Sequence, residues 1–305
     1  MIDPDILKEL APFGRVREYA PLREYTTFRA GGPADALVVP NTAADVPGIV
    51  RVVRERALPL TVIGGGSNLL VGDRGVRGVV LAIRERDEAA GAIAVSDNGD
   101  IAAEASVSKE RFIDFAIANG FGGVEFMAGI PGCLGGGIIM NAGTTLGWFA
   151  DILVGIRIVD GAGALRDLPV TKEMSTYRRL RIDDDSIIIA GAFRLPRAED
   201  PASVRETIAG LLRERAGKHP LDYPSAGSVF KNPEGHSSWK LINDAGLKGT
   251  RIGGAMVSEL HTNFIINYDN ATARDIRDLI EHVRETVQAK FQVRLETEVR
   301  MLGEF

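Results

Sequence analysis

The sequence predicts a chain of mixed helices and strands in two units, and three observations carry that reading. Amphipathic helical stretches alternate with short apolar, partly β-branched runs; two glycine clusters interrupt the first half; and a polar segment at residues 196–203, punctuated by Pro196 and Pro201, precedes a further set of helices and strands. A length of 305 residues fits two domains at roughly 150 residues each.

In chain order, residues 36–39 read as a strand, and residues 43–56 as a helix because Val46, Ile49, Val50 and Val53 recur at helical spacing. The apolar run at 58–63 reads as a buried strand, with further strand-like runs at 79–83 and 92–95. Residues 108–119 predict a helix that buries Phe112, Phe115 and Ala116 and stops at Gly120. Short strands at 153–159 and 187–195 follow. Beyond the polar segment, Ser203 and Glu206 have the spacing of a capping box and open a helix ending at Gly217. A helix at 237–245 and a strand at 263–267 come next, then a helix opened by Thr272 with Ile276, Leu279, Ile280, Val283 and Val287 on one face. The last strand, 294–302, alternates Leu295, Thr297, Val299 and Met301 against Glu296, Glu298 and Arg300.

Composition removes several functions. With 45% hydrophobic and 25% charged residues the chain is neither disordered nor fibrous. A net charge of −5 without a long single-sign run argues against nucleic acid as a partner. No stretch approaches the ~18 apolar residues of a membrane-spanning helix. The N-terminus carries acids and a proline where a secretory signal has a basic cap and an apolar run. Cys133 is the one cysteine, which suits a reducing compartment, so the cytoplasm is expected. His219, His236, His261 and His282 lack paired ligand spacing, so no catalytic metal is expected.

Glycine stands out: 35 of 305 residues is about 11%, against a usual share of about 7%. Gly64-Gly65-Gly66-Ser67-Asn68 leaves a predicted strand, and Gly129-Ile-Pro131-Gly132-Cys-Leu-Gly135-Gly136-Gly137 runs on to Met140-Asn141-Ala142-Gly143. Glycine-rich loops expose N–H groups without Cβ atoms in the way and can wrap a phosphate. Neither cluster fits the commonest forms: position 69 is Leu69 rather than the third glycine of a dinucleotide fingerprint, although Glu85 and Asp87 sit about the right distance on, and a P-loop ending is missing. Tight strand turns are the alternative; two clusters in one region favour a ligand. Ser228 in Ala226-Gly227-Ser228-Val229-Phe230-Lys231-Asn232-Pro233 lacks the second glycine of a hydrolase elbow, which leaves a turn hydroxyl or, beside Lys231, a proton donor or phosphate ligand. By themselves, Glu298 and Arg300 read as a solvated strand face.

Taken in order, the motifs resemble those of the UDP-N-acetylenolpyruvoylglucosamine reductases, the MurB flavoenzymes of peptidoglycan precursor synthesis. The set comprises Thr26-Thr27-Phe28-Arg29-Ala30-Gly31-Gly32-Pro33-Ala34, both glycine clusters, Tyr177-Arg178, the Ser228 segment, Ala245-Gly246-Leu247-Lys248-Gly249, His261-Thr262-Asn263-Phe264 and Glu298-Val299-Arg300. The resemblance implies an α+β fold: an FAD-binding region of the vanillyl-alcohol oxidase (PCMH) type at residues 1–203, in lobes of about 1–84 and 85–203, then a C-terminal substrate-binding domain at 204–305.

It further implies that FAD lies against Gly64, Gly65, Gly66, Ser67, Asn68, Gly129, Pro131, Gly132, Gly136, Gly137, Asn141, Ala142 and Gly143. By the same resemblance Ser228 is the general acid with Arg178 and Glu298 as companions, and Tyr177, Lys231, Asn232, Lys248, His261 and Asn263 contact a UDP-sugar. The implied cycle is ping-pong: NADPH reduces the flavin and leaves, flavin N5 gives hydride to the β-carbon of the enolpyruvyl group, and Ser228 protonates the α-carbon. Arg178 and a protonated Glu298 suit the enolate-like charge that builds between those events. A monomer is expected. The chain departs from the family pattern at Tyr25, Leu180, Leu260 and the stretch from Thr144 to Trp148, which bear on substrate contacts and leave the catalytic three untouched.

Overall fold

A computed structural model describes residues 2–85 and 91–305; Asp87 lies outside the described residues. The chain forms two contact units, and neither is continuous. The first comprises Met1–Glu18, Ala36–Gly65 and Gly78–Arg213, and the second Tyr19–Asp35, Gly66–Arg77 and Glu214–Phe305. Phe28, Ala30 and Leu70 pack in the core of the C-terminal segment, and Leu69–Val71 pairs in parallel with Arg300–Leu302, so two early segments belong with the late one.

The first unit holds two sheets. Strands Gly14–Pro21, Pro33–Pro40, Val76–Ala82 and Leu60–Ile63 hydrogen-bond in that order, the last two in parallel with Ile63 opposite Ala82. The second sheet is antiparallel, in the order Leu165–Pro169, Leu153–Val159, Ile187–Phe193, Ile101–Glu104, Ile93–Val95. Helix Val46–Glu55 buries Val46, Ile49, Val50 and Val53, the stripe that the spacing predicts. Helix Lys109–Ala118 is capped by the Ser108 hydroxyl, which accepts from the Arg111 N–H, and it buries Phe112, Ile113, Ala116 and Ile117. Phe115, expected inside, is only partly buried at the edge of that core. Glu85 accepts from the amides of Ser108 and Gly91 and pairs with Arg111, so it pins the start of this helix.

Edge-to-face aromatic contacts bind this core together. The Phe112 and Phe193 rings are 4.7 Å apart, Phe149 and Phe193 6.2 Å, and Phe126 and Phe149 5.8 Å. Phe149 also supports the second glycine cluster: a Cβ on Gly137 would come within 2.5 Å of its ring, so only glycine lets helix Leu134–Ile139 lie this close to the aromatic layer.

The second unit has the antiparallel sheet order Ser225–Ser228, Phe264–Asn267, Ala255–Val257, Arg251–Ile252. Helix Ala273–Phe291 packs Ile276, Leu279, Ile280, Val283 and Val287 inward, and Thr272 and Asp275 cap it reciprocally. The Asp73 carboxylate accepts from the amides of Ala273 and Arg274 at 2.8 and 2.9 Å, which fastens an early segment to a late helix.

Two local expectations are corrected. Helix Pro201–Lys218 starts before Ser203, because the Asp200 carboxylate takes the N–H groups of Ala202 and Ser203 and Pro201 needs no partner at the first helical position. Only Arg300–Leu302 of the predicted 294–302 strand forms a regular strand; earlier in the segment Thr297 makes an isolated bridge to Phe230. Among the described residues no helix is long and apolar enough to cross a membrane, and no group of three or more His, Cys, Asp or Glu is placed to hold a metal ion.

Candidate active site

The first unit presents a backbone cradle. Strand Leu60–Ile63 delivers Gly64 and Gly65 directly against the second glycine cluster. A Cβ on Gly65 would lie 2.6 Å from the Gly132 Cα and 3.1 Å from the Cys133 amide nitrogen, so only glycine permits that approach. A Cβ on Gly64 would sit 3.8 Å from the Gly136 nitrogen, whereas one on Gly136 would meet nothing within 4 Å, which leaves that side open. Gly129 and Gly132 take left-handed φ values of +70° and +96°. Among the described residues no protein acceptor meets the N–H of Gly132 or of Cys133. Backbone donors in a side-chain-free cradle are what a diphosphate requires, and in this respect the residues fit FAD.

Beyond the cradle, Asn141, at φ +38°, accepts from the Ala150 N–H at 3.0 Å and donates to the Thr176 carbonyl at 3.1 Å. It thereby ties the glycine segment to the hairpin of Ser175–Thr176 and Arg179–Leu180. Arg178 is the second residue of the two-residue turn and is held at φ +61°, a region that costs a non-glycine residue energy. Its guanidinium donates to the Gly143 carbonyl at 3.4 Å and lies 5.4 Å from the ring centres of both Trp148 and Tyr177. A half-buried cation is thus fixed by a strained turn and two aromatic faces.

Ser228 and Glu298 lie in the second unit. Gly227, at φ +75°, shifts the register between Ser225 and Ser228, an irregularity that re-aims Ser228 relative to the sheet. The next two residues, Val229 and Phe230, are anchored in the core. The Glu298 N–H donates to the Val229 carbonyl at 2.7 Å, and the Asn68 side chain donates to the Glu298 carbonyl at 3.0 Å. Backbone hydrogen bonds on both sides therefore help to set the position of this half-buried residue.

The expected substrate residues divide by use. Lys231 pairs with Glu296 at 3.3 Å, and Lys248 is exposed. The Asn232 side-chain oxygen accepts from the Ser238 N–H at 3.0 Å. The buried Asn263 amide accepts from the Phe230 N–H and donates to its carbonyl, at 3.0 and 2.8 Å, so it holds the Ser228 strand in place. The ring of His261 stacks on His219 with centroids 5.2 Å apart, and its Nδ1 is buried with no hydrogen-bond partner among the described residues. Burial, reinforced by His219, pushes the His261 pKa down to about 4, which keeps the ring neutral at physiological pH.

Reading the sequence missed three participants. Trp148 falls in a stretch that departs from the family pattern and gave no signal. His219 is far from His261 in sequence. Lys109 sits on a helix face that otherwise looks like ordinary core, yet its side chain runs under Gly137 and donates to the Pro131 carbonyl at 2.6 Å.

The family described as "UDP-N-acetylenolpyruvoylglucosamine reductase, C-terminal domain" matches residues 219–302, and "FAD binding domain" matches residues 34–169. A UDP-N-acetylenolpyruvoylglucosamine reductase of Pediococcus pentosaceus is 40% identical over 305 residues, covering 100% of this chain and 99% of its own. One from Clostridium novyi is 38% identical, covering 93% of this chain and 91% of its own. The crystal structure of UDP-N-acetylenolpyruvylglucosamine reductase (MurB) from Thermus caldophilus superposes with a TM-score of 0.77 at 31% identity, covering 95% of this chain and 100% of that one. With full-length similarity of this kind, matched domain families over both parts and a glycine cradle that fits its cofactor, the chain belongs to the UDP-N-acetylenolpyruvoylglucosamine reductase family of FAD-dependent oxidoreductases.

Proposed function

We propose that this chain uses NADPH to reduce UDP-N-acetyl-3-O-(1-carboxyvinyl)-glucosamine to UDP-N-acetylmuramate, a step of peptidoglycan precursor synthesis. The observation that carries the reading is the setting of Ser228 and Glu298: a hydroxyl re-aimed by the Gly227 irregularity, and a carboxyl whose backbone is bonded to the residue after that hydroxyl. A solvated strand face needs no such fixing. When bound, FAD supplies the capacity to accept and return a hydride.

The residues supply the rest. Adding hydride to the β-carbon of an enolpyruvyl ether leaves negative charge on the α-carbon and its carboxylate. The Arg178 guanidinium, held by Trp148, Tyr177 and the Gly143 carbonyl, stabilises that charge without having to reorganise. Glu298 in its acid form donates a hydrogen bond to the same carboxylate. Ser228 then delivers its hydroxyl proton to the α-carbon. Lys231, Asn232 and Lys248 bind the UDP moiety with Tyr177 and the neutral His261 ring, and Asn263 acts by holding the strand that carries Ser228. Residues 1–203 serve chiefly the cofactor and 204–305 chiefly the substrate. The reading also carries with it a monomeric, cytoplasmic enzyme.

An assay of turnover tests this. NADPH oxidation should depend strictly on the enolpyruvyl UDP-sugar, with one product molecule per NADPH, heavier than the substrate by two hydrogens. Tight binding of the sugar with no NADPH consumption would instead make the chain a binding protein.

A further inference from the structure

Lys109 is 3% exposed, and lysine is almost never buried to that degree without a counter-charge. Among the described residues no carboxylate forms an ion pair with it. Its ammonium has three hydrogens to donate, and one goes to the Pro131 carbonyl at 2.6 Å. Its own backbone N–H donates to the Gly132 carbonyl at 3.2 Å. One residue therefore holds two successive carbonyls of the second glycine cluster. In a trans peptide the C=O and the following N–H point in opposite directions, and none of the described peptides is cis. Pulling the carbonyls of Pro131 and Gly132 toward Lys109 turns the N–H groups of Gly132 and Cys133 away from it. Neither of those two amides meets a protein acceptor among the described residues.

We propose that Lys109 is a positioning residue for FAD: it draws the two carbonyls back, presents the amides of Gly132 and Cys133 to the cofactor's diphosphate, and places a buried positive charge behind them. The proposal rests on reading the glycine loops as the diphosphate site. Burial in apolar surroundings pushes the Lys109 pKa down to about 8, so the ammonium form still dominates at pH 7. A bound diphosphate favours that form and so raises the pKa back above this value. FAD affinity is then at its full value below about pH 8 and falls as the pH rises through it. The groups facing Lys109 are Cys133 on the loop and Glu110 on its own helix, with Arg84 and Glu85 beyond Cys133. Burial raises the Cys133 pKa, which keeps the thiol protonated at neutral pH.

The test is FAD titration of the apoprotein, followed by quenching of flavin fluorescence, from pH 7 to 9.5. Lys109→Met should weaken FAD binding about 10- to 100-fold at pH 7, the effect of losing a charge-assisted contact, and should remove the pH dependence. Lys109→Gln, which keeps a donor for Pro131 without the charge, should fall between the two and also lose the pH dependence. Cys133→Ala should leave the pH dependence in place. Riboflavin, which lacks the diphosphate, should bind wild type and Lys109→Met alike. Folded Lys109→Met that binds FAD within about twofold of wild type would overturn the proposal. So would wild-type affinity that does not change across the pH range, and that outcome stands even if the variants do not fold. Gly65→Val provides the separate check: if it too leaves FAD affinity unchanged, the reading of the loops as the diphosphate site fails with the proposal, whereas its loss of FAD beside an unaffected Lys109→Met overturns the proposal alone.

Discussion

Ser228→Ala is expected to lower turnover about 100- to 10,000-fold, the range typical of a lost general acid, while NADPH reduces the bound flavin at close to the wild-type rate. The asymmetry follows from the chemistry: moving hydride from NADPH to flavin requires no proton at carbon, whereas completing the reduction of the enolpyruvyl group does. The substitution should spare the fold. Ser228 is half-buried at the end of a short strand, and its neighbours Val229 and Phe230 carry the core contacts. Stopped-flow measurement of each half-reaction separates the outcomes, and an equal loss in both halves would assign Ser228 a structural or cofactor role instead.

Glu298→Ala should reduce turnover about 100- to 1,000-fold with FAD retained, comparable to removing one donor to a developing oxyanion. Glu298→Gln distinguishes how the carboxyl works. If Glu298 donates a hydrogen bond to the substrate carboxylate, glutamine keeps a donor at that point and recovers part of the rate. If it works as a base, glutamine should be as poor as alanine. Either substitution should fold, because both keep the backbone bonds of this residue, its N–H to the Val229 carbonyl and its carbonyl from the Asn68 side chain. Wild-type rates in both variants would return Glu298 to the role of an exposed charge on the surface.

The helices with clean periodicity were the most legible part of the sequence. The inward stripes of Val46–Glu55 and Ala273–Phe291 coincide with the predicted ones, since tertiary packing needs that face and nothing competes for it. Chain organisation was less legible. No local signal shows that Asp73 caps a helix 200 residues later or that Leu69–Val71 pairs with Arg300–Leu302. The glycine loops announced themselves by composition, but the reason Gly65 must be glycine is the Gly132 backbone against it, which only the fold supplies. Asp200 displaced Ser203 as the cap because a carboxylate one residue ahead of a proline reaches the free amides first. Arg178 was legible through resemblance alone, since by composition it sits in an unremarkable basic dipeptide, and its strained turn and aromatic flanks appear only in three dimensions.

The most direct test is an anaerobic absorbance experiment on the purified holoprotein. NADPH alone should bleach the oxidised flavin band, and the enolpyruvyl UDP-sugar, added after excess NADPH is removed, should restore it in one turnover. A flavin that stays yellow with NADPH, or a reduced flavin that the sugar leaves colourless, would contradict the account.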